Sequence, residues 1–192
     1  MNLTLGEAKK KAISLMLEFS NDGVPIPDGE NADYLLSMNR FASDAQMEIS
    51  NRLGIESSFT INKIRVNEQG VTKYPLPDDF KSLQFITLYD ETFTDYQLRN
   101  GQLWINNRYE GLFEVFYEKN PTLLDSSTPE SYEFEVDNHV QHLIAYYMGG
   151  MALSEEKEDI SNKLLNIYFE GLNNISNFKN RAYSTVRSID NW

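Results

Sequence analysis

The stretch SFTINKIRV, residues 58–66, decides the fold predicted for this chain, because the helical spacing of apolar residues ends just before it. The stretch is rich in β-branched residues and partly alternates apolar with polar side chains, a pattern typical of a strand. NEQG at 67–70 then predicts a turn, and VTKY at 71–74 predicts the returning strand. The chain therefore changes from helical to β structure at this point.

The β segment is predicted to cover residues 58–120 as a small antiparallel insert of five or six short strands. Its clearest turn is Asn100-Gly101, because an Asn-Gly pair between two strands favours a two-residue hairpin. After the first two strands, the predicted strands are 82–89, 96–99, 102–106 and 111–118.

Helical spacing on both sides of the insert predicts four helices, at residues 4–19, 31–53, 137–153 and 155–179. Thr4 and Glu7 match a capping box at the start of the first helix. The simplest closure packs the N-terminal and C-terminal helices into one bundle, with the β segment projecting from one end. We therefore predict an α+β, mainly α fold, with a single domain over residues 1–180 and a flexible C-terminal tail over 181–192.

The composition excludes several classes of function. Because the 192 residues include no cysteine, disulfide frameworks, cysteine zinc sites and thiol catalysis are excluded. The net charge is -12 and no block of Lys and Arg is dense, so tight binding of DNA or RNA is not expected. No signal peptide or membrane span is recognisable, so we expect a soluble intracellular product with no membrane partner.

No catalytic residue, cofactor or metal ligand is predicted. His139 and His142 are spaced i,i+3 near a helix start, but no Glu follows in an HExxH arrangement and no cysteine could complete a site. The chain has no Gly-x-Ser-x-Gly elbow and no glycine-rich phosphate loop. The run YYMGGM, residues 146–151, is interpreted as close helix packing rather than a cofactor site.

The run YPLPDDF, residues 74–80, carries the most conspicuous acid pair, Asp78 and Asp79. Paired carboxylates can hydrolyse glycosides, but adjacent residues in a turning segment point apart. The two prolines remove backbone donors and suit an edge strand that ends at a corner, which Phe80 would anchor in the core. We interpret the run as a structural corner, with catalysis and partner contact as the alternatives.

Several segments, taken in order, resemble the head-to-tail adaptor (connector) proteins of tailed bacteriophages, the subunits that form a ring beneath the portal. The likeness runs over most of the chain, and its strength lies in the order and spacing of the segments. These are DG at 22–23, PIPD at 25–28, ADYLLSMN at 32–39, DAQME at 44–48, YPLPDDF at 74–80, FEVFYEKNP at 113–121, AYY at 145–147 and a long final helix.

The resemblance implies a structural virion protein rather than an enzyme. Such a protein would form a ring of twelve copies, clamped to the portal protein on one side and offering its β elements to a downstream tail or neck protein on the other. Double-stranded DNA would pass through the ring without specific binding, and a negative wall would limit its adhesion. The chain is then expected in the virion, after assembly in the bacterial host cytoplasm.

The predicted partner-binding residues lie in the closing segment and on the third helix. Aromatic and Arg side chains anchor interfaces well, and adaptor proteins commonly dock a C-terminal segment into the portal. The predicted set is Arg181, Tyr183, Arg187, Ile189, Trp192, Tyr146 and Met151. Two alternatives remain open: a virion-associated glycan hydrolase using Asp78 and Asp79, and a neck or tail-completion protein one level further down the tail.

Overall fold

A computed structural model describes residues 2–16, 32–65 and 69–187, with the backbone alone for residues 32–33 and 176–187. In these residues the chain forms four helices and seven strands. They are α1 (Leu5–Leu15), α2 (Ala32–Leu53), β1 (Glu56–Lys63), β2 (Val71–Pro75), β3 (Phe80–Leu88), β4 (Glu91–Thr92), β5 (Tyr96–Arg99), β6 (Gln102–Asn106), β7 (Gly111–Lys119), α3 (Asn138–Ala152) and α4 (Glu158–Arg187).

The chain divides into two compact units. The helical unit combines Met1–Gly54 with Pro121–Trp192, and the β unit is Ile55–Asn120. The prediction of a mainly α chain is wrong, because seven strands in two antiparallel sheets make this a mixed α/β fold. The predicted insert missed the short strand β4 and the separation of its strands into two sheets. A single domain over 1–180 stays a prediction.

The core of the helical unit contains most of the predicted apolar stripes. The capping box is confirmed, since the Glu7 N–H donates to the Thr4 hydroxyl at 3.3 Å and the Thr4 N–H donates to the Glu7 carboxylate at 2.9 Å. Burial of the apolar side chains of this core supplies most of the stability of the helical unit, at about 25 cal/mol per Å² of apolar area. The buried apolar residues of α1 to α3 are Leu5, Ala8, Ala12, Ile13, Met38, Phe41, Ala42, Ala45, Ile49, Val140, Leu143, Ile144, Ala145 and Met148.

Helices α3 and α4 approach closely at glycines, which confirms the packing interpretation of the YYMGGM run. A Cβ on Gly150 would lie 2.7 Å from Leu165 Cγ, and a Cβ on Gly171 would lie 2.7 Å from Leu143 Cδ2. A side chain larger than that of glycine fits at neither position unless the facing leucine moves.

Helical spacing predicts that the buried stripe of α4 contains Ile160, Leu164, Ile167, Gly171, Ile175 and Phe178, and this prediction is partly wrong. Ile167 is 45% exposed, whereas Tyr168 and Leu172 are fully buried. Gly171, which approaches Leu143 of α3 closely, lies next to these two residues on the helix. Helix α4 also continues to Arg187, past the predicted end at 179 and into the predicted tail, while residues 188–192 lie outside the described residues.

Residues 121–137, named here the strap, join β7 to α3 and contain no helix or named strand. Two buried glutamines, Gln46 and Gln141, form hydrogen bonds with backbone groups of the strap. Gln141 Nε2 donates to the carbonyls of Phe134 and Val136, at 3.1 and 2.8 Å. Gln46 Oε1 accepts from the Glu135 N–H at 2.8 Å. These bonds satisfy buried backbone groups in a segment that has no regular strand ladder.

The β unit is built from a four-stranded sheet of order β1-β7-β3-β4 and a three-stranded sheet of order β2-β6-β5, both antiparallel. Side chains from both sheets meet in one apolar cluster. Its buried members are Ile61, Ile86, Phe93, Leu103, Ile105, Phe113 and Val115. The predicted hairpin is confirmed, since Asn100 and Gly101 have φ of 51° and 69° and join β5 to β6.

The YPLPDDF run forms the predicted corner. Edge strand β2 ends at Pro75, the Phe80 N–H donates to the Pro77 carbonyl at 3.0 Å, and β3 begins at Phe80. The Phe80 ring stacks on Tyr117 with centroids 5.5 Å apart, while the Tyr117 hydroxyl donates to Asp79 Oδ1 at 2.9 Å. Burial raises the pKa of Tyr117, and the contact with Asp79 raises it further.

Candidate interaction surfaces

Of the predicted partner-binding residues, Tyr146 and Met151 lie on α3 and are half-buried. Lys11 Nζ is 5.6 Å from the centroid of the Tyr146 ring, a cation–π distance that holds the ring against α1. The two residues are five positions apart and thus about 140° apart around the helix. The structure therefore does not bring them together on one surface.

The remaining predicted residues cannot be assigned to a surface. The backbone of Arg181, Tyr183 and Arg187 belongs to α4, but their side chains lie outside the described part of the chain. Ile189 and Trp192 lie outside it entirely.

The residues considered for metal binding and catalysis are exposed except for Asp79, which is half-buried. Partial desolvation of the His142 ring and the charge of Lys11 lower the pKa of His142. Within the described ranges, no group of three or more His, Asp or Glu side chains could hold a metal ion. Asp78 is exposed on the turn, while Asp79 bonds to the hydroxyl of Tyr117. The acid pair is thus divided between solvent and a structural contact.

One face of the three-stranded sheet combines a tryptophan with two cations, and we name it the Trp104 face. In the register, Lys73 and Gln97 flank Trp104 directly, and Arg99 lies opposite Gln102. Lys73 Nζ is 4.4 Å and Arg99 Cζ is 5.3 Å from the Trp104 ring centroid. The indole N–H donates to Gln102 Oε1 at 3.3 Å, and this bond restrains the orientation of the Trp104 ring.

The Trp104 face is basic in an otherwise acidic chain. Strands β2, β5 and β6 contain no Asp or Glu, although the chain has 29 acidic against 17 basic side chains. Lys73 and Arg99 are exposed and form no salt bridge with any described carboxylate. Arg108 of the same unit differs, because it pairs with Asp95. Hydrogen bonds from Tyr109 and Arg108 lower the pKa of Asp95.

The outward face of the four-stranded sheet carries exposed apolar side chains beside polar ones such as Glu114, and we name it the Phe116 face. Phe85 and Phe116 are register partners whose rings stack with centroids 4.5 Å apart. Phe85 is 43% exposed. Leu112 lies on the same side of β7 as Phe116 and is 48% exposed. Clustered exposed apolar side chains of this kind mark surfaces that contact other molecules.

Sequence reasoning missed both faces, although part of the signal was available. The Asn100-Gly101 turn fixes the register of β5 and β6, and alternation then aligns Gln97 and Arg99 with Trp104. The addition of Lys73 requires the long-range pairing of β2 with β6, which no local pattern specifies.

None of the helices in the described residues is both long and apolar enough to cross a membrane. No protein-family model and no curated protein sequence matches the chain.

Proposed function

We propose that this protein is a head-to-tail adaptor of a tailed bacteriophage, a structural subunit that forms a ring between the portal protein and the next tail component. The observation that carries the proposal is the order and spacing of the adaptor-like segments, from DG at 22–23 through FEVFYEKNP at 113–121 to the final helix.

The division of the chain supports the same role. Helices from both ends of the chain build one unit, and a β unit is inserted between them. An adaptor has to contact a neighbouring subunit, the portal and a tail component, so it needs several separate surfaces. The Trp104 face and the Phe116 face are two such surfaces on the β unit, and each carries aromatic residues of the kind enriched at interfaces.

The net charge supports passage of DNA. A ring assembled from chains of charge -12 repels a polyanion over about one Debye length, roughly 8 Å at physiological salt. Packaged DNA would then move through the ring with little adhesion.

The test is assembly on a portal. The purified chain is mixed with portal rings of the phage whose genome encodes it, and the products are imaged by negative-stain electron microscopy and separated by sedimentation. We expect an additional ring of density on one end of the portal and co-sedimentation of the two proteins. Portal rings that stay bare at every ratio of the two proteins would contradict the proposal.

The same experiment separates the neck alternative, because a neck or tail-completion protein would bind only a portal that already carries its adaptor. The glycan hydrolase alternative gains no support from the position of Asp79, which bonds to Tyr117 instead of facing a second carboxylate.

A further inference from the structure

We propose that the Trp104 face binds the acidic segment Glu155–Asp159 of a second copy of this chain. This inference rests on the proposed ring, and it names the surfaces through which neighbouring subunits would recognise each other.

The Trp104 face has the chemistry of an acceptor for carboxylates. Both cation distances are measured from one ring centroid, so the charges of Lys73 and Arg99 lie no more than about 9.7 Å apart, the sum of the two distances. Two like charges within this distance, with no described carboxylate in salt-bridge range, gain from a partner segment whose carboxylates approach both. Trp104 adds apolar area next to the two cations, and Trp and Arg are enriched at interface hot spots.

The acidic segment runs from the α3–α4 connection into the first turn of α4 and reads EEKED, with Glu155, Glu156, Glu158 and Asp159 all exposed. Its position is fixed within the helical unit. The Tyr34 hydroxyl donates to Glu156 Oε2 at 2.6 Å, and Glu158 and Asp159 occupy the first turn of α4. A segment that is already ordered loses less conformational entropy on binding than a mobile one.

Charge distribution favours a second copy as the occupant. Residues 55–120 carry ten acidic and seven basic side chains, a net charge of -3, so the other residues carry -9 of the total of -12. Copies with this charge repel unless a basic surface of one meets an acidic surface of the next. A head-to-tail contact of this kind uses two different surfaces on each molecule, which is the requirement for a closed ring.

Nucleic acid is the less favoured occupant. Neutralisation of only two phosphates gives weak binding, and the remaining charge of the chain opposes it.

The test is self-association of the full chain, measured by sedimentation equilibrium up to about 1 mM at low and high salt. We expect the wild type to associate and to dissociate as salt rises, because the contact is electrostatic. Lys73→Glu with Arg99→Glu should weaken association at least tenfold, and so should Glu155→Lys with Glu158→Lys. An equimolar mixture of the two double variants should associate again, because each supplies the surface that the other lacks.

The matched control is Lys10→Glu with Arg40→Glu, which reverses two exposed cations of the helical unit and changes the net charge equally. It should associate more strongly than the Lys73 and Arg99 variant. Thermal unfolding of every variant establishes that it is folded.

Three results would overturn the inference. A wild type that stays monomeric over the whole range is the first, and equal association of all variants is the second. The third is a chain that does not self-associate but binds a single-stranded oligonucleotide, with that binding lost in the Lys73 and Arg99 variant. The proposed function fails separately, on bare portal rings with the wild type. Normal rings formed by the Lys73 and Arg99 variant on portals would overturn this inference and leave the adaptor role intact.

Discussion

Substitution of Gln141 tests whether side-chain hydrogen bonds, in place of a regular strand ladder, hold the strap in position. The residue is 3% exposed, and its amide makes three hydrogen bonds to backbone groups. Nε2 donates to the carbonyls of Phe134 and Val136, and Oε1 accepts from the Leu3 N–H at 2.6 Å. Gln141→Leu keeps a similar volume and removes all three bonds.

The expected loss follows from the groups left behind. Each buried backbone group without a partner costs about 1–3 kcal/mol. The two carbonyls are buried, while the Leu3 N–H is partly accessible to water and costs less. We therefore expect the free energy of unfolding to fall by about 3–5 kcal/mol, a large part of the 5–15 kcal/mol typical of a domain.

Urea unfolding followed by circular dichroism at 222 nm measures this loss, because the helices dominate that signal. Hydrogen exchange resolved by mass spectrometry should show faster exchange in peptides that cover the strap. Gln84→Leu is the control, since Gln84 is exposed on β3, and its unfolding free energy should change by no more than about 0.5 kcal/mol. A loss below about 1 kcal/mol for Gln141→Leu would refute the reasoning.

Three further perturbations test other parts of the structure by thermal or chemical unfolding. Lys63 is 2% exposed and its Nζ has no hydrogen-bond partner in the described residues, so Lys63→Met should raise stability by about 1–3 kcal/mol, while the exposed Arg65→Met should change little. Gly150→Val should lower stability by about 1–3 kcal/mol or more through the clash with Leu165; unchanged stability would contradict the close contact. Burial raises the pKa of Tyr132 to about 12, above its unfolded value of 10, so its contribution to stability is complete below pH 10 and is lost as pH rises through 12. In Tyr132→Phe the decline between pH 10 and 12 should be shallower.

Local signals predicted the elements of this fold well. The Asn100-Gly101 turn and the alternation around it gave the bounds of β5 and β6, and the capping box gave the start of α1. These features depend on residues near in sequence, where backbone preference and hydrogen bonding act directly.

The errors arose where distant residues determine the outcome. The buried face of α4 includes Tyr168 and Leu172 and lies where Gly171 approaches Leu143 of another helix. The separation of the strands into two sheets depends on pairings such as β1 with β7 and β2 with β6. Periodicity within one segment contains no information about either contact.

The predicted interaction residues and the surfaces found in the structure differ for a related reason. Tyrosine is common at interfaces, which favours Tyr146 as a contact residue, but the Tyr146 ring contacts Lys11 of the same chain. The Trp104 face is assembled from three strands, and only the pairing of β2 with β6 brings Lys73 to the tryptophan. Composition alone cannot show which side chains share a face.

The insertion of the β unit also determines the order in which the parts can form during synthesis. The β unit is one continuous segment, whereas α2 ends at Leu53 and its partner α3 begins only at Asn138. A ribosome adding about 5–20 residues per second needs roughly 4–17 s to make the intervening chain. Over that interval α1 and α2 exist without α3 and α4, with their apolar stripes available to chaperones, while the β unit can complete its sheets first.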